Sequence, residues 1–240
     1  MKAIILAGGA GSRLRPVTYE IPKPLIPIRG KTLTEHVFDI LHPHVDEFHL
    51  SISHLADQIV NHFSNKKFPF KIDYIHEKER LGTAGPFIIL KDKDHNFDST
   101  FVCVNGDNLF DINMTDMLKF HKENNATVTI ALKEVSKDYH VDGIIPLGVA
   151  KINGHKILDF IEKPKVEDAP SRLINSGYYI MEPEVFDLLK DFDKAMLEKD
   201  LFPMLAKQGK LFGYKSDAQW FDTGTFDRWE DVIKNWKTQK

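Results

Sequence analysis

The sequence contains a single cysteine, Cys103, among its 240 residues, which excludes a disulfide bond within the chain. Cys103 lies in an apolar stretch, so we expect a buried, reduced thiol. No apolar run approaches the roughly 18 residues of a membrane-spanning helix, and no membrane partner is expected. The apolar run after Lys2 is too short for the core of a secretory signal peptide, which predicts a cytoplasmic protein.

A strong excess of charge of one sign is also missing. The formal net charge at pH 7 is −3, whereas domains that bind nucleic acids usually carry a basic face. No nucleic-acid partner is therefore expected. The sequence has no internal repeat, low-complexity run or linker-like stretch, so we expect a single domain over residues 1–240.

Hydrophobic periodicity in the first half alternates between strand and helix patterns. The predicted strands lie at residues 2–7, 47–52, 70–75, 101–104 and 127–133, and the predicted helices at residues 32–41, 54–63, 83–90 and 113–124. This order predicts an α/β fold with a mixed, mostly parallel sheet flanked by helices.

After residue 133 the pattern changes. Asn153-Gly154 lies between two strand-like runs, which predicts a hairpin. The predicted strands are 147–152, 156–161, 173–181 and 210–214, and the predicted helices are about 182–190, 195–207 and 226–237. Residues 136–146 fit neither pattern and receive no role.

The glycine-rich segment Gly8 to Ser12 follows the first apolar strand. Glycines allow backbone N–H groups to approach phosphate oxygens closely. The spacing does not fit a Walker loop, because no Gly-Lys-Ser/Thr follows four residues after a glycine. It does not fit a dinucleotide fingerprint either, because the third glycine would fall at Leu14. A plain tight turn between strand and helix stays open as an alternative.

Cationic side chains follow this segment closely. Arg13 and Arg15 offer guanidinium groups, whose bidentate geometry suits phosphate. Lys23 stands between two prolines, which stiffen the backbone on both sides. Together they favour an anion-binding site, although a single lysine is more often a solvated surface residue.

The segment Leu6 to Ile28 (LAGGAGSRLRPVTYEIPKPLIPI) resembles the signature of the sugar-phosphate nucleotidylyltransferases, or NDP-sugar pyrophosphorylases. Later segments also resemble family motifs: residues 81–86 (LGTAGP), 105–107 (NGD), 162–164 (EKP) and 220–225 (WFDTGT). The resemblance covers about residues 3–225. It implies the Rossmann-like nucleotide-diphospho-sugar transferase fold, with a nucleotide-binding half at 1–133 and a sugar-phosphate-binding half at 134–240.

The resemblance also implies roles for particular residues. Its catalytic residues correspond to Arg13, Lys23 and Asp107. Its nucleotide-binding residues correspond to Leu6, Ala7, Gly8, Gly9, Gly11, Ser12, Arg13, Lys23, Glu77, Gly82, Thr83, Asn105 and Gly106. Its sugar-phosphate-binding residues correspond to Gly148, Glu162, Lys163, Asn175, Gly177 and Glu198. A Mg²⁺ ion, the implied cofactor, is bound in the family by residues that match Asp107 and Asp222.

The implied reaction joins a nucleoside triphosphate and a sugar 1-phosphate into an NDP-sugar and pyrophosphate. The segments at 82–86 and 198–203 look most like mannose-1-phosphate guanylyltransferases, which favours GTP and a mannose- or heptose-type sugar. Thymidylyl or uridylyl transfer to a hexose 1-phosphate is an alternative, and so is a non-catalytic module that binds NDP-sugars. Family habit suggests a homodimer. No hexapeptide repeats are present, so the β-helix domain of many relatives is not expected.

The histidines do not suggest a metal site. His42, His44, His49 and His54 lie near one another in sequence, but a zinc site requires defined ligand spacing with cysteine or carboxylate support. We expect these side chains to be solvated or partly buried.

Overall fold

The computed structural model describes residues 1–91 and 96–237. The strands are β1 (Lys2–Leu6), β2 (Pro27–Ile28), β3 (Lys31–Thr32), β4 (Glu47–Ile52), β5 (Lys71–His76), β6 (Phe101–Asn105), β7 (Asn108–Phe110), β8 (Val128–Glu134), β9 (Val149–Asn153), β10 (Lys156–Ile161), β11 (Leu173–Met181), β12 (Leu211–Lys215) and β13 (Trp220–Asp222). The helices are α1 (Val17–Glu20), α2 (Leu33–Leu41), α3 (Ala56–Ser64), α4 (Gly85–Leu90), α5 (Met114–Glu123), α6 (Glu184–Leu189), α7 (Phe202–Lys207) and α8 (Phe226–Asn235).

The chain divides into two compact units. Unit 1 comprises residues 1–79, 103–112 and 218–240, and unit 2 comprises residues 80–102 and 113–217. Compact units of this kind occur within single domains as well as in pairs of domains. The single-domain organisation of residues 1–240 therefore stays a prediction.

Strands β5, β4 and β1 of unit 1 are neighbours in that order, and β6 lies next to β1 in the sheet. β4 pairs in parallel with β1 on one side and β5 on the other. The centre of β1 is fully buried, as expected for an apolar strand covered on both faces. Aromatic rings of Phe38, Phe48, Phe63, Phe68 and Phe70 pack together beside these strands, with adjacent centroids 4.7–6.0 Å apart.

Helix α2 of unit 1 begins at a capping box. Thr32 Oγ1 accepts a hydrogen bond from the backbone of Glu35, and Glu35 Oε2 accepts one from the backbone of Thr32. Two backbone donors that the helix leaves unpaired are thereby satisfied.

Unit 2 contains strands in the order β11-β8-β12-β10-β9. β8 pairs antiparallel with β11 and parallel with β12. β10 pairs antiparallel with β9 and β12. Helix α5 packs on β8, β11 and β12, and α7 packs on β10 and β12. Phe87, Phe97, Phe101 and Phe186 form an aromatic cluster in this unit.

The prediction of a mixed α/β fold with a helix-flanked sheet is confirmed. The longer strands of unit 1 pair in parallel, whereas most neighbours in unit 2 are antiparallel, among them β9 and β10, which form the predicted hairpin at Asn153-Gly154. The helix predicted at 195–207 begins instead with a π-helical turn, Leu197–Leu201. The two- and three-residue strands are too short to show a periodicity. Over the part of the chain that the structure describes, no helix has the length and apolarity to cross a membrane.

Candidate active site

In unit 1, the glycine-rich segment of residues 8–12 directly follows the buried strand β1. Ala7 N donates to Ser51 O at 2.9 Å, which fixes the start of the segment at the end of β4. Thr18 Oγ1 donates to Gly11 O at 2.8 Å and fixes its other end. The segment between is partly to fully exposed. Fixed ends and an exposed middle suit binding of a phosphate by backbone N–H groups.

Lys23 is buried instead of solvated. Its side chain is 9% exposed, and Nζ lies 2.8 Å from Asp107 Oδ2. Pro22 precedes it in extended conformation and leads into the 3-10 turn Lys23–Leu25. A buried ammonium group is costly unless it is paired. The position of Lys23 is therefore tied to that of Asp107.

The position of Asp107 is set by the close approach of Gly106 to β1. Gly106 N donates to Leu6 O at 2.9 Å. An ideal Cβ at residue 106 would lie 2.9 Å from the same carbonyl oxygen, closer than real Cβ atoms come. Glycine is required here, and it allows the chain to carry Asp107 past the end of β1.

The backbones of Asp107 and Asp222 are neighbours, although these residues lie far apart in sequence. Strand β13 pairs antiparallel with β7, which places Asp222 opposite Asn108. Thr223 also donates to Asp107 O twice, from its backbone N at 3.0 Å and from Oγ1 at 2.8 Å. The fold thus brings together the two residues that the resemblance matches to metal ligands.

The Asp222 carboxylate is anchored within its own segment. Its side chain is 8% exposed and is ion-paired with Arg228 in the first turn of α8. Gly224 N donates to Asp222 Oδ1 at 2.5 Å. The sequence motifs did not indicate a role for Arg228, because its contact with Asp222 depends on where α8 begins.

Arg13 lies beside this group. An ideal Cβ at Gly224 would be 2.9 Å from the Arg13 guanidinium. We call Arg13, Lys23, Asp107, Asp222 and Arg228 the unit 1 cluster. It carries three cations and two carboxylates, an excess of one positive charge that favours an anionic ligand.

These cations also act on the ionisation of Asp107. Burial opposes ionisation, but the Lys23 ammonium, which donates a hydrogen bond, and the Arg13 charge outweigh it and lower the pKa of Asp107 below its usual value of 3.8. Asp107 is therefore a carboxylate at neutral pH.

The residues of the unit 1 cluster fit a Mg²⁺ ion. Mg²⁺ prefers hard oxygen ligands and is usually bound by one or two carboxylates together with substrate phosphates. Asp107 and Asp222 supply two carboxylates on neighbouring backbones. The Asp107 side chain is 39% exposed, so it is accessible to solvent.

Two further residues matched to nucleotide binding lie in unit 1. Ser51 Oγ donates to Glu77 Oε1, and an ideal Cβ at Gly8 would lie 3.3 Å from that oxygen, so Glu77 lies against the glycine-rich segment. At the end of β6, Asn105 Oδ1 is buried and accepts no hydrogen bond from the described residues. A bound ligand with a suitable donor would satisfy it.

In unit 2, Thr83 connects the segment at 81–84 to the π-helical turn. Thr83 Oγ1 donates to Glu198 Oε2 at 2.5 Å and accepts from Leu197 N at 2.8 Å. Gly82 adopts φ +87° and lies directly against Ala195. The two segments that suggested a guanylyltransferase are thus packed on each other.

Glu198 is 6% exposed, and burial is the main cause of its raised pKa. The neighbouring Glu162 charge acts in the same direction, while the Thr83 hydrogen bond and the Lys163 charge oppose it. Buried carboxylates with shifted pKa values are candidates for functional groups.

Gly148 and Glu162 are in close proximity. An ideal Cβ at Gly148 would lie 3.0 Å from Glu162 Oε2. Lys163 Nζ lies 3.4 Å from Glu162 Oε1, and the Lys163 side chain is 58% exposed. Lys163 is therefore available to a ligand. We call Thr83, Gly148, Glu162, Lys163 and Glu198 the unit 2 cluster.

Asn175 and Gly177 lie at an irregular stretch of β11. The Asn175 side chain accepts from Gly177 N at 2.9 Å and donates to Tyr179 OH at 2.8 Å, while its backbone N donates to Gly148 O. In the structure, the contacts of Asn175 thus stabilise the irregular stretch of β11 beside Gly148.

The loop at 136–146, to which the sequence assigned no role, lies beside the residues that follow Lys163. Ile145 N donates to Pro164 O at 3.0 Å, and Val166 N donates to Gly143 O at 2.9 Å. Val141 and Ile144 are exposed apolar side chains on this loop. The loop therefore belongs to the surroundings of the unit 2 cluster.

The residues matched by resemblance fall into two groups. Unit 1 contains Leu6, Ala7, Gly8, Gly9, Gly11, Ser12, Arg13, Lys23, Glu77, Asn105, Gly106, Asp107 and Asp222, and unit 2 contains Gly82, Thr83, Gly148, Glu162, Lys163, Asn175, Gly177 and Glu198. Their roles in binding and catalysis stay predictions.

A model of the family described as "Nucleotidyl transferase" matches residues 2–239. The chain belongs to this nucleotidyl transferase family. The family prediction from the sequence motifs is thereby confirmed.

Relatives within the family differ in the nucleotide that their names specify. A UTP–glucose-1-phosphate uridylyltransferase of Synechocystis sp. is 38% identical over 246 residues, covering 97% of this chain and 62% of the relative. A mannose-1-phosphate guanyltransferase beta-B of Xenopus laevis is 34% identical over 227 residues, covering 93% of this chain and 61% of the relative. The chain therefore spans less than two thirds of the length of these nucleotidyl transferases.

The fold of the family is also found in solved structures. A UDP-glucose pyrophosphorylase in complex with UDP-glucose matches with a TM-score of 0.83 and covers 97% of each chain at 19% identity. At this identity the match concerns the fold alone, and it confirms the predicted nucleotide-diphospho-sugar transferase fold.

The Lys23–Asp107 ion pair predicts a pH-dependent contribution to stability. Because the folded pKa of Asp107 is lowered, its stabilising effect is present above the unfolded pKa and is lost as the pH falls through the folded pKa. In urea unfolding at pH values from about 7 to about 2, we expect the free-energy difference between wild type and Asp107→Asn to shrink below about pH 4. A difference that is independent of pH would contradict this assignment.

A side chain at position 82 is predicted to clash with its surroundings and to destabilise the fold, and Gly143 provides a control without such a clash. An ideal Cβ at Gly82 lies 2.2 Å from Ala195 O, whereas Gly143 has a similar positive φ, +76°, with nothing within 4 Å. We expect Gly143→Ala to cost about 1 kcal/mol of unfolding free energy, and Gly82→Ala about 3 kcal/mol or more. Equal losses in urea unfolding would show that the contact with Ala195 is unimportant.

Proposed function

We propose that the chain is a sugar-1-phosphate nucleotidylyltransferase that joins a nucleoside triphosphate and a sugar 1-phosphate into an NDP-sugar and pyrophosphate. The observation that carries the proposal is the ion pair between buried Lys23 and partly exposed Asp107 beside the glycine-rich segment, with Arg13 adjacent. Family membership and the names of both relatives support the reaction class.

The chemistry is a single displacement at phosphorus. An oxygen of the sugar 1-phosphate forms a bond to the α-phosphorus, and the bond from that phosphorus to the oxygen bridging to the β-phosphate breaks. The electron pair and negative charge leave with pyrophosphate. The attacking phosphate is already ionised near neutral pH, so no general base is required.

The main obstacle is repulsion between two polyanions. Two unit charges about 4 Å apart near a protein surface interact by about 4 kcal/mol, and several such pairs arise here. Backbone N–H groups of residues 8–12, together with Arg13 and Lys23, balance the triphosphate in this proposal. These groups are fixed before the reaction, which is the condition for effective electrostatic catalysis.

A Mg²⁺ ion bound by Asp107 and Asp222 would supply further positive charge to the phosphates. The Asp107 backbone is anchored to Thr223, and the Asp222 carboxylate is anchored by Gly224 N. These contacts orient the two carboxylates, and the low pKa of Asp107 keeps its carboxylate ionised and available for a cation.

The unit 2 cluster binds the acceptor in this proposal. Lys163 is exposed and cationic, so it pairs with the sugar phosphate. Glu162 is a partly buried and Glu198 a buried carboxyl group, and both accept hydrogen bonds from sugar hydroxyls in this proposal. Gly148 packs against the Phe160 ring beside Glu162.

For the substrates we favour GTP with a mannose- or heptose-type sugar 1-phosphate, supported by the packed segments at 82–86 and 198–203 and by the guanyltransferase relative. UTP with glucose 1-phosphate is the second candidate, because the uridylyltransferase relative has the higher identity. A cytoplasmic location and a homodimer, the latter from family habit alone, are part of the same proposal.

A matrix of substrates tests the proposal. Pyrophosphate release is measured with Mg²⁺ for GTP, UTP, dTTP, ATP and CTP against mannose, heptose and glucose 1-phosphates, and we expect the highest kcat/KM for GTP with a manno-configured sugar. A preference for UTP and glucose 1-phosphate would overturn the proposed substrates but agree with the proposed reaction. Binding of NDP-sugars without turnover of any pair would instead indicate a non-catalytic module.

A matched pair of variants tests the site. Asp107→Asn should lower kcat/KM at least about a hundredfold, because the Mg²⁺ ion that would balance the charge of the phosphates loses a carboxylate ligand. Asp39 lies on α2 and forms an exposed ion pair with Lys31. Asp39→Asn removes the same charge there and should change the rate by less than about twofold. Similar rates for Asp107→Asn and wild type would remove Asp107 from the reaction.

A further inference from the structure

Strands β4 and β5 of unit 1 carry a second group of potential metal ligands. It consists of Glu47 and His49 on β4 and Asp73 on β5. One ligand atom from each side chain lies within 4.8 Å of the other two. None of these residues belongs to the unit 1 cluster.

The arrangement follows from the strand register. Glu47 and His49 are separated by two positions, so both side chains leave the same face of β4. His49 is paired with Asp73 across the parallel β4–β5 ladder, and neighbouring strands lie about 4.8 Å apart. Three side chains at such positions form a triangle on a rigid sheet, which holds ligand atoms more accurately than a loop does.

The chemistry of the three side chains suits a metal ion. They offer one imidazole nitrogen and two carboxylate oxygens. His49 is 9% exposed, and its Nε2 lies 2.9 Å from Glu47 Oε1, so its ring is oriented within the group.

Two lysines lie beside the two carboxylates of the group. Lys2 Nζ is 3.6 Å from Glu47 Oε1, and Lys71 is paired with Glu47 across the β4–β5 ladder. The charges of the four side chains balance, so the ligand geometry carries the proposal. Asp73 is exposed, which leaves a path for an ion from solvent.

We propose that Glu47, His49 and Asp73 bind a divalent transition-metal ion of the Zn²⁺ type at the N-terminal part of β4. An imidazole ligand favours Zn²⁺ over Mg²⁺ or Ca²⁺, and three protein ligands with a water complete a common zinc coordination. The sequence predicted solvated or partly buried histidines. It did not link His49 to Asp73, because strand register cannot be read from sequence spacing.

The site lies apart from the glycine-rich segment. Ser51 and Ser53, which approach that segment, follow His49 on the same chain. From His49 to Ser53 the extended chain spans roughly 13 Å at about 3.3 Å per residue. The proposal is therefore independent of the nucleotidylyltransferase reaction.

Calorimetric titration of the full chain with Zn²⁺ tests the proposal. Excess Mg²⁺ in the buffer occupies the carboxylates proposed for the unit 1 cluster. We expect wild type to bind one equivalent of Zn²⁺. Asp73→Asn should bind at least about tenfold more weakly, since it loses one ligand at an exposed position that the fold does not require.

Asp57→Asn is the matched control. Asp57 is another exposed aspartate of unit 1, on α3, and its variant should bind Zn²⁺ like wild type. Equal affinities of wild type, Asp57→Asn and Asp73→Asn would mean adventitious binding only and would overturn the proposal, as would the absence of binding to wild type.

Thermal unfolding gives a second readout. Zn²⁺ should raise the Tm of wild type and Asp57→Asn, because a ligand that binds the folded state stabilises it. The same Zn²⁺ concentration should leave the Tm of Asp73→Asn nearly unchanged. An equal rise for Asp73→Asn would contradict a site built from these three residues.

Discussion

The ion pair between Lys23 and Asp107 is the contact on which the rest of unit 1 depends. A buried ammonium needs a partner, and Asp107 provides it at 2.8 Å. Asp107 reaches this position only because Gly106 passes against Leu6 O, and Thr223 fixes the Asp107 backbone. The pairing of β13 with β7 then brings Asp222 and Arg228 to the same place. A substitution at any of these contacts would disturb the charges of the whole cluster.

The balance of charge explains why the cluster contains no activated nucleophile. Direct transfer between two ionised phosphates requires neither a covalent intermediate nor a base, and its cost lies in bringing negative charges together. Three cations around two carboxylates leave a positive excess for the phosphates of the proposed substrates, and the lowered pKa of Asp107 keeps its carboxylate ionised. Glu198 in unit 2, whose pKa is raised mainly by burial, instead suits hydrogen bonding to the neutral sugar of the proposed acceptor.

Much of this organisation could be predicted from the sequence. The buried strand before Gly8, the stiff segment around Lys23 and the carboxylate after β6 each have a local pattern, and the motifs fix the family. Other features depend on contacts between distant segments. Arg228 meets Asp222 because α8 begins at Phe226, and Asp73 meets His49 through the β4–β5 register. Neither contact has a sequence spacing that could reveal it, and strands as short as β7 and β13 carry no periodicity.

The proposed reaction is a single displacement at the α-phosphorus, and its stereochemistry tests it most directly. A nucleoside triphosphate with one sulfur atom on the α-phosphorus, in a known configuration, is converted with the preferred sugar 1-phosphate, and the configuration of the product is determined. One in-line displacement predicts inversion. Retention would indicate two displacements through a nucleotidyl group attached to the protein and would contradict the account.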